Sequence, residues 1–550
     1  MCLHPTEPAG VPAETSRVAW AAFPKGNAYL RIRDQVGVLY SDEAFAPLYS
    51  SRGQPAYAAW RLALVCLLQY VENLSDRQAA EAVRSRIDWK YLLGLQLTDP
   101  GFDYSVLCEF RTRLLKQSPE RLLLERMLAC LIEQGLCGKA ARQRTDSTHV
   151  LAAIRQLNRI EMVAETLRHT LDILAQAAPG WLGSIAPLEW QSRYAARIDS
   201  WRLPRSQAQR REWAEHVGED GKALLEALFS NEAPPWLRQL PAIELLRQVW
   251  LQQYQQKQGR LALRADKDLP PASLLIRSPH DPQARNGGKR GQYWTGYKVH
   301  LTESCDAGAP HLITHVYTQG ATCSDTGALL PIQDALAQRD LLPKQHLVDA
   351  GYTSAHNLLQ SQKRQVDLLG PLSCGTGGAP GRDARFFASH FQVDFSQERV
   401  TCPAGHTSVR WERERGRDGK EALKVYFAPK VCRACALRPQ CTRSKKQVRT
   451  LRLYPKELYE PLQYARERQK SEAFAQAYKA RAGVEGTLSE GVRCHGLRTC
   501  RYVGQKKAHL QQVLVAAAIN LVRIGAWLDP KPVPKRPKSP FARLHLQTTT

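Results

Sequence analysis

Three carboxylates in widely separated segments have the residue types and surroundings to do chemistry together. Asp146 lies in Arg144-Thr145-Asp146-Ser147-Thr148-His149. Asp349 lies in His346-Leu347-Val348-Asp349-Ala350-Gly351-Tyr352. Glu485 closes Tyr478-Lys479-Ala480-Arg481-Ala482-Gly483-Val484-Glu485. A single Asp or Glu is ordinarily solvated or capping. Three brought together make an oxygen-rich site suited to a hard cation, Mg²⁺ or Mn²⁺. Two such ions about 3.5–4 Å apart can activate a water or a 3′-hydroxyl and stabilise the leaving oxygen of a phosphodiester. Tyr478, Arg481 and Glu485 fall at i, i+3 and i+7, so the spacing predicts one shared helix face. That face carries a ring, a cation and a carboxylate rather than an apolar stripe. Gly483 and Gly486 each cost roughly 1 kcal/mol in a helix, which points to close packing or close approach of DNA.

A second constellation is soft rather than hard. Cys432 and Cys435 form a CxxC pair, with Cys441 close behind and Cys402 upstream. Four thiolates make a closed tetrahedral site for structural Zn²⁺. Cys402-Pro403 lacks the second cysteine of its knuckle, and His406 is the candidate substitute. The bland alternative is four reduced, unliganded thiols. Cys494, His495 and Cys500 form a weaker cluster, read as structural or as chance.

The cations agree with a phosphate substrate. The 550 residues carry a net charge of +25, with 77 Lys and Arg spread along the whole chain. Such a balance favours a polyanionic partner, most simply nucleic acid. Arg443 to Arg452 and the run Arg498, Arg501, Lys506 and Lys507 flank the Glu485 segment. A charge run is usually a solvated face. Here Tyr502 and Gly504 interleave with it, and an acidic pocket needs nearby cations to hold phosphates.

The elements that must position these residues can be read coarsely. The length suggests roughly three or four domains. A hydrophobic content of 43% argues against global disorder. Residues 15–135 read as a helical N-terminal domain suited to DNA binding, scaffolding or dimerisation. In it, Ser75 is placed to cap a helix over 76–84. Asp146 is expected at the end of a strand. Residues 151–277 read as a helical insertion whose six tryptophans belong mostly to a core. From 280 the pattern becomes strand, strand, helix, strand, a mixed α/β layer, with Asp349 where a short strand ends. Gly351 is expected to allow a sharp exit there. Residues 374–380 read as a linker opening a small cysteine-rich insertion over 375–455. The chain then reads as helical from Glu457 to Trp527, and 529–550 as a disordered basic tail. No apolar run approaches the roughly 18 residues of a membrane span, and no secretory segment opens the chain. The expected setting is cytoplasmic and nucleoid-associated, with reduced or metal-bound thiols and no membrane.

With these residues in place, the chain resembles a bacterial insertion-sequence transposase of the DDE class. The Tyr-x2-Arg-x3-Glu signature appears as Tyr478, Arg481 and Glu485, the second acid block as Asp349-Ala350-Gly351-Tyr352, and the first as Thr145-Asp146-Ser147-Thr148. Gly53-Gln54-Pro55-Ala56, Leu74-Ser75-Asp76-Arg77, Trp89-Lys90-Tyr91 and Phe110-Arg111-Thr112-Arg113-Leu114 resemble an InsH-type N-terminal domain. Gly296-Tyr297-Lys298-Val299-His300-Leu301 is similar to a block of insertion-sequence group eleven-eighty-two. One position departs: the lysine often found seven residues after the Glu is Val492 here, with Arg493 beside it. The resemblance implies an RNase H-like catalytic core over 139–528 interrupted by the two insertions. It also implies divalent-metal cut-and-paste chemistry by Asp146, Asp349 and Glu485. DNA contacts would come from Tyr478, Arg481, Arg493, Arg501, Lys506 and Lys507. The expected partners are terminal inverted repeats and target DNA, bound by a homodimer. Two rival readings stand beside this one. One is an RNase H-like nuclease that cleaves without joining strands; the other is a non-catalytic DNA-binding descendant.

Overall fold

The computed structural model describes all residues except 6, 9, 117–121, 137–140, 290, 373–385, 417, 418, 420, 531–538 and 544–550. The expected linker at 374–380 and most of the expected basic tail lie outside the described residues. The chain divides into two compact units, Met1–Cys137 with Ala517–Thr550, and Gly138–Ala516.

The first unit is helical. Ser75 caps the helix Asp76–Ser85 through a full capping box with Gln78, satisfying two otherwise orphaned amides. The helix Ala59–Val71 has eleven buried residues, so its apolar run serves the core.

The second unit is built on a six-stranded mixed sheet: β1 (Arg142–Leu151), β2 (Arg285–Lys289), β3 (Gln292–Ser304), β4 (Ile313–Gly320), β5 (Gln345–Leu347) and β6 (Asp367–Leu369). The order is β2-β3-β1-β5-β6, and β4 joins β2 on the far edge of the long β3. β1, β3 and β4 run antiparallel, whereas β5 and β6 lie parallel to β1. β1 is therefore central. Its residues 143–148 are all buried, which erases the alternation expected of a half-exposed strand. Asp146 accordingly sits in the middle of this strand, opposite Leu301 of β3, and not at a strand end as its sequence suggested.

Two further bodies hang from this unit. Five helices between Arg159 and Gln253, followed by a hairpin of Tyr254–Lys257 with Arg260–Leu263, enclose their own apolar core. Trp190 and Trp250 belong to that core, and Trp181 and Trp213 pack against it. Trp201 and Trp236 remain exposed, so the tryptophans are only partly explained by burial. The other body is a three-stranded sheet of Ser408–Arg415, Glu421–Phe427 and Thr450–Leu453 with the hairpin Gln392–Asp394/Arg399–Thr401. Phe391, Val400, Val425, Phe427, Leu451 and Leu453 form its core.

The C-terminal helical stretch is broken more often than its sequence predicts. Glu472–Tyr478 ends in a 3₁₀ turn, Lys479–Ala482, before a new helix, Gly483–Cys494. Tyr478, Arg481 and Glu485 therefore do not share one continuous helix. The helix Gln505–Leu528 is long and apolar enough to cross a membrane, contrary to the expectation from its short apolar run, yet 78% of that window is buried inside the protein.

Candidate active site

Arg481 joins the distant segments. Its Nη2 donates to Asp146 Oδ2 and its Nη1 to Glu485 Oε1, each at 2.5 Å. Asp146 and Arg481, 335 positions apart in the chain, are joined by a charged bridge. Asp349 lies within electrostatic reach of both Asp146 and Arg481. Two of the three carboxylates therefore meet at one guanidinium, and Asp349 lies close enough for its charge to act on both Asp146 and Arg481. Glu485 is the most accessible, with 66% of its side chain exposed.

Asp146 is the strained member. It is 7% exposed, and burial pushes its carboxyl up to about 6; Asp349 adds to the rise, while Arg481 and the Ser147 amide oppose it. Desolvation disfavours the ionised form, and Arg481, the Ser147 amide and, more weakly, Lys289 limit the rise.

Asp349 stands two residues beyond β5. Its Oδ1 accepts from the Gly351 amide at 2.8 Å. Val348 is hydrogen-bonded to Leu369 of β6, and the Tyr352 amide closes the turn on the Asp349 carbonyl. Tyr352 is fully buried and shares a 2.6 Å hydrogen bond with His300 on β3. The turn that presents the acid is thereby anchored to the sheet. Gly351 is needed for room rather than for a left-handed backbone. A Cβ there would lie 3.0 Å from Asp349 Oδ1 and 3.3 Å from Asp325 Oδ2.

That second distance reveals a carboxylate that sequence reasoning missed. Asp325 opens the helix Asp325–Ala337 after the cap Ser324, so in sequence it reads as a capping-turn acid. In space it accepts from Lys298 Nζ at 2.8 Å and from Ser147 Oγ at 3.2 Å, beside the Asp349 turn. Lys298 belongs to the Gly296–Leu301 block, but nothing in the sequence pairs it with residue 325.

The Glu485 helix is docked by a buried ion pair. Arg144, two residues before Asp146, donates to Glu303 Oε1 at 2.6 Å and to the Ala480 carbonyl at 2.5 Å. Thr487 donates to the other Glu303 oxygen at 2.6 Å. The Ala480 carbonyl that Arg144 grips lies within the 3₁₀ turn Lys479–Ala482. Gly483 allows the guanidinium through, whereas Gly486 faces open space. Tyr478 stacks on Phe474 at 5.6 Å. Burial raises its hydroxyl pKa, with Asp349, Asp146 and Glu485 adding to the rise and Arg481 opposing it.

The expected DNA-contacting cations are distributed unevenly. Arg493, Lys506 and Lys507 are exposed and Arg501 is half-buried. Arg498 reaches Thr148 Oγ1 at 2.8 Å. Thr148 shares the face of β1 that carries Asp146, which brings Arg498 to the same side of the strand.

Cys402, Cys432, Cys435 and Cys441 line one small cavity with Phe386, Phe427 and Arg449. The Cys402 sulfur accepts from the His406 amide at 3.3 Å. Burial raises the Cys441 thiol, and the other three cysteines add to the rise. Among the described residues, no three His, Cys, Asp or Glu side chains are gathered tightly enough to hold a metal ion. This holds for the four cysteines, for Cys494, His495 and Cys500, and for the carboxylates, two of which are spent on Arg481.

Two family comparisons bear on this arrangement. Residues 401–525 match the transposase DDE domain, and residues 19–113 match a transposase domain, DUF772. Both matches are to transposase domains, and together they support a relationship to insertion-sequence DDE transposases. The DDE match includes Glu485, Arg481 and Tyr478 together with all four clustered cysteines, and the N-terminal match covers much of the helical first unit. No curated protein and no solved structure matches the chain. Transposase domains of this kind imply DNA as the partner.

Proposed function

We propose that this chain is an active transposase that binds the ends of its element, cuts the DNA in a divalent-metal-dependent reaction and transfers the ends to a target. The observation that carries this reading is the convergence of Asp146, Asp349 and Glu485 around Arg481. The sheet supports it. Three antiparallel strands continued by two parallel ones, with one acid on the central strand and another just past its parallel neighbour, suit an RNase H-like core.

The donor chemistry, though not the present spacing, fits the metal that this family implies. It is all carboxylate oxygen, which suits Mg²⁺ or Mn²⁺, and a cation already bridges two of the three groups. Asp146, Asp349 and Glu485 would hold it. When bound, the metal supplies charge neutralisation at the phosphate and eases ionisation of the attacking water or 3′-hydroxyl. The protein's own residues do the rest. The buried Arg144–Glu303 pair fixes the Glu485 helix against β1. Arg481 offers a planar fork that matches a phosphate. Arg493, Arg498, Arg501, Lys506 and Lys507 hold the backbone, and Tyr478 walls the pocket. A homodimer on DNA, working in the cytoplasm at the nucleoid, is part of this proposal.

The test is cleavage of element-end DNA with Mg²⁺, run beside a gel shift. Asp146→Asn, Asp349→Asn and Glu485→Gln should each lose cleavage by about a thousandfold or more, the loss expected when members of one catalytic unit are removed. DNA binding should survive in all three. Normal cutting by all three variants would end the reading. Cleavage without joining of a pre-cut end would leave a nuclease. Near-parental cutting by Glu485→Gln alone would move the third acid elsewhere on its helix, Glu490 first.

A further inference from the structure

Arg481 occupies the place where two of the three proposed metal ligands converge. Its side chain is 13% exposed. Both terminal nitrogens are committed, one to Asp146 and one to Glu485. Its Nε is buried with no hydrogen-bond partner among the described residues. A guanidinium cannot shed its charge by losing a proton, so it can yield the site only by moving.

We propose that Arg481 is a place-holding cation that keeps the carboxylates closed against metal until a DNA phosphate draws it away. The inference rests on the three-acid reading above and adds an order of events: DNA first, metal second. Three facts support it. First, Asp146 and Glu485 each spend an oxygen on Arg481, and a hard cation requires those oxygens. Second, the residue sits on the short turn Lys479–Ala482 between two helices, so side-chain rotation alone can move its charge without disturbing either helix. Third, the unpartnered Nε is the donor a side-on, two-point grip on phosphate would use, together with one terminal nitrogen. In the closed state that donor has no acceptor, and a phosphate would supply one. The closed state also answers a problem of the free protein. Without metal, three carboxylates would repel one another, and Asp146 is desolvated as well. Arg481 neutralises the cluster from inside the chain.

The experiment measures Mn²⁺ binding to the DNA-free full chain at pH 8, by the paramagnetic signal of free Mn²⁺. The pH is chosen so that protonation of Asp146 does not mask the effect. Arg481→Gln should bind Mn²⁺ about tenfold or more tightly than the parent, within the usual range of coupling between sites. Arg481→Lys should fall between them, because one ammonium cannot bridge both carboxylates. Lys289→Gln is the charge control. Lys289 acts on Asp146 through space and is exposed, so its loss should change affinity by less than about threefold, in keeping with screened exposed charges. Circular-dichroism melts establish that each variant is folded. With a short end-sequence duplex present, the parent should gain affinity and Arg481→Gln should gain less.

Equal affinity of parent and Arg481→Gln, with binding abolished by Asp146→Asn, would overturn the place-holder and leave the metal site standing. An equal gain from Lys289→Gln would also overturn it, because the site would then answer only to overall charge. No Mn²⁺ bound by any form, with or without DNA, would sink the metal-site reading and this inference together.

Discussion

The Arg144 guanidinium fills the volume that a side chain at residue 483 would need: a Cβ on Gly483 would lie 2.1 Å from Arg144 Nη1. The arginine has little freedom to retreat. It is held by Glu303, which has no exposed side-chain surface, by the Ala480 carbonyl and by the His311 ring. The glycine thus sets how closely the Glu485 helix approaches β1, and with it where Arg481 and Glu485 stand relative to Asp146.

Gly483→Ala should therefore act on geometry before it acts on the fold. Overpacking of this kind costs about 1–3 kcal/mol, and a misplacement near 1 Å can cost about a hundredfold in rate. The expected result is a modest fall in melting temperature with a cleavage loss of tens- to a hundredfold. Gly486→Ala, which meets nothing within 4 Å, is the matched control and should cut normally. Equal activity in the two variants would show that the Arg144 contact does not position the site.

Asp325 raises a sharper question, because it stands beside the Asp349 turn without belonging to the three acids. Its two oxygens are committed to Lys298 and Ser147. The expectation is that it is a fixed counter-charge to Lys298 and not a metal ligand. Asp325→Asn should keep cleavage within about tenfold of the parent, unlike Asp146→Asn. A double-mutant cycle with Lys298→Gln should give a coupling of about 1–2 kcal/mol, since the pair is only 15% and 12% exposed. Complete loss of cleavage in a well-folded Asp325→Asn would instead make it a fourth ligand.

The cysteine-lined cavity makes a separable prediction. If Cys402, Cys432, Cys435 and Cys441 bind Zn²⁺, they must draw inward to about 2.3 Å from the metal. Such sites contribute roughly 10–16 kcal/mol in finger peptides, so a chelator should loosen the three-stranded sheet over 408–453 without dismantling the six-stranded one. Hydrogen exchange before and after chelation distinguishes the two sheets. Protein purified without zinc, with all four thiols reacting freely, would leave the cluster as packing.

The sequence made some of this legible for a physical reason: local spacing survives folding. Tyr478, Arg481 and Glu485 are near neighbours in any chain conformation, and the Asp349-Ala350-Gly351-Tyr352 turn closes on itself through the Gly351 and Tyr352 amides. The alternation in β3 marked a strand for the same reason. What stayed hidden depends on partners far away in sequence. Thr145 is polar but buried on β1, satisfied by Thr302 and His346 at 2.7 Å, so no apolar pattern announces the central strand. Lys479, Ala480, Arg481 and Ala482 are good helix formers, yet they form a 3₁₀ turn against Arg144, whose guanidinium bonds the Ala480 carbonyl from 336 residues away. Asp325 looks like a capping-turn acid because it is also the first residue of a helix.

Asp146 ties stability to pH in a direction opposite to most paired carboxylates. Its folded-state pKa is raised, mainly by burial, from 3.8 to about 6. The folded state therefore holds this proton more tightly than the unfolded chain. The contribution is fully present below pH 3.8 and is lost as pH rises through about 6. A tenfold difference in proton affinity is worth about 1.36 kcal/mol, so roughly 3 kcal/mol of stability should disappear across that window. Other groups titrate there too, so the measurement is a difference. Asn at 146 mimics the protonated acid at every pH. Denaturant unfolding of metal-free protein should show Asp146→Asn gaining on the parent between pH 4 and pH 7, and level beyond it. A constant difference across the range would mean that Asp146 ionises as an ordinary aspartate and that Arg481 fully compensates its burial. The same loss at neutral pH gives the ionised acid a reason to take up a second cation, because each positive charge delivered to the pocket recovers stability that burial removed.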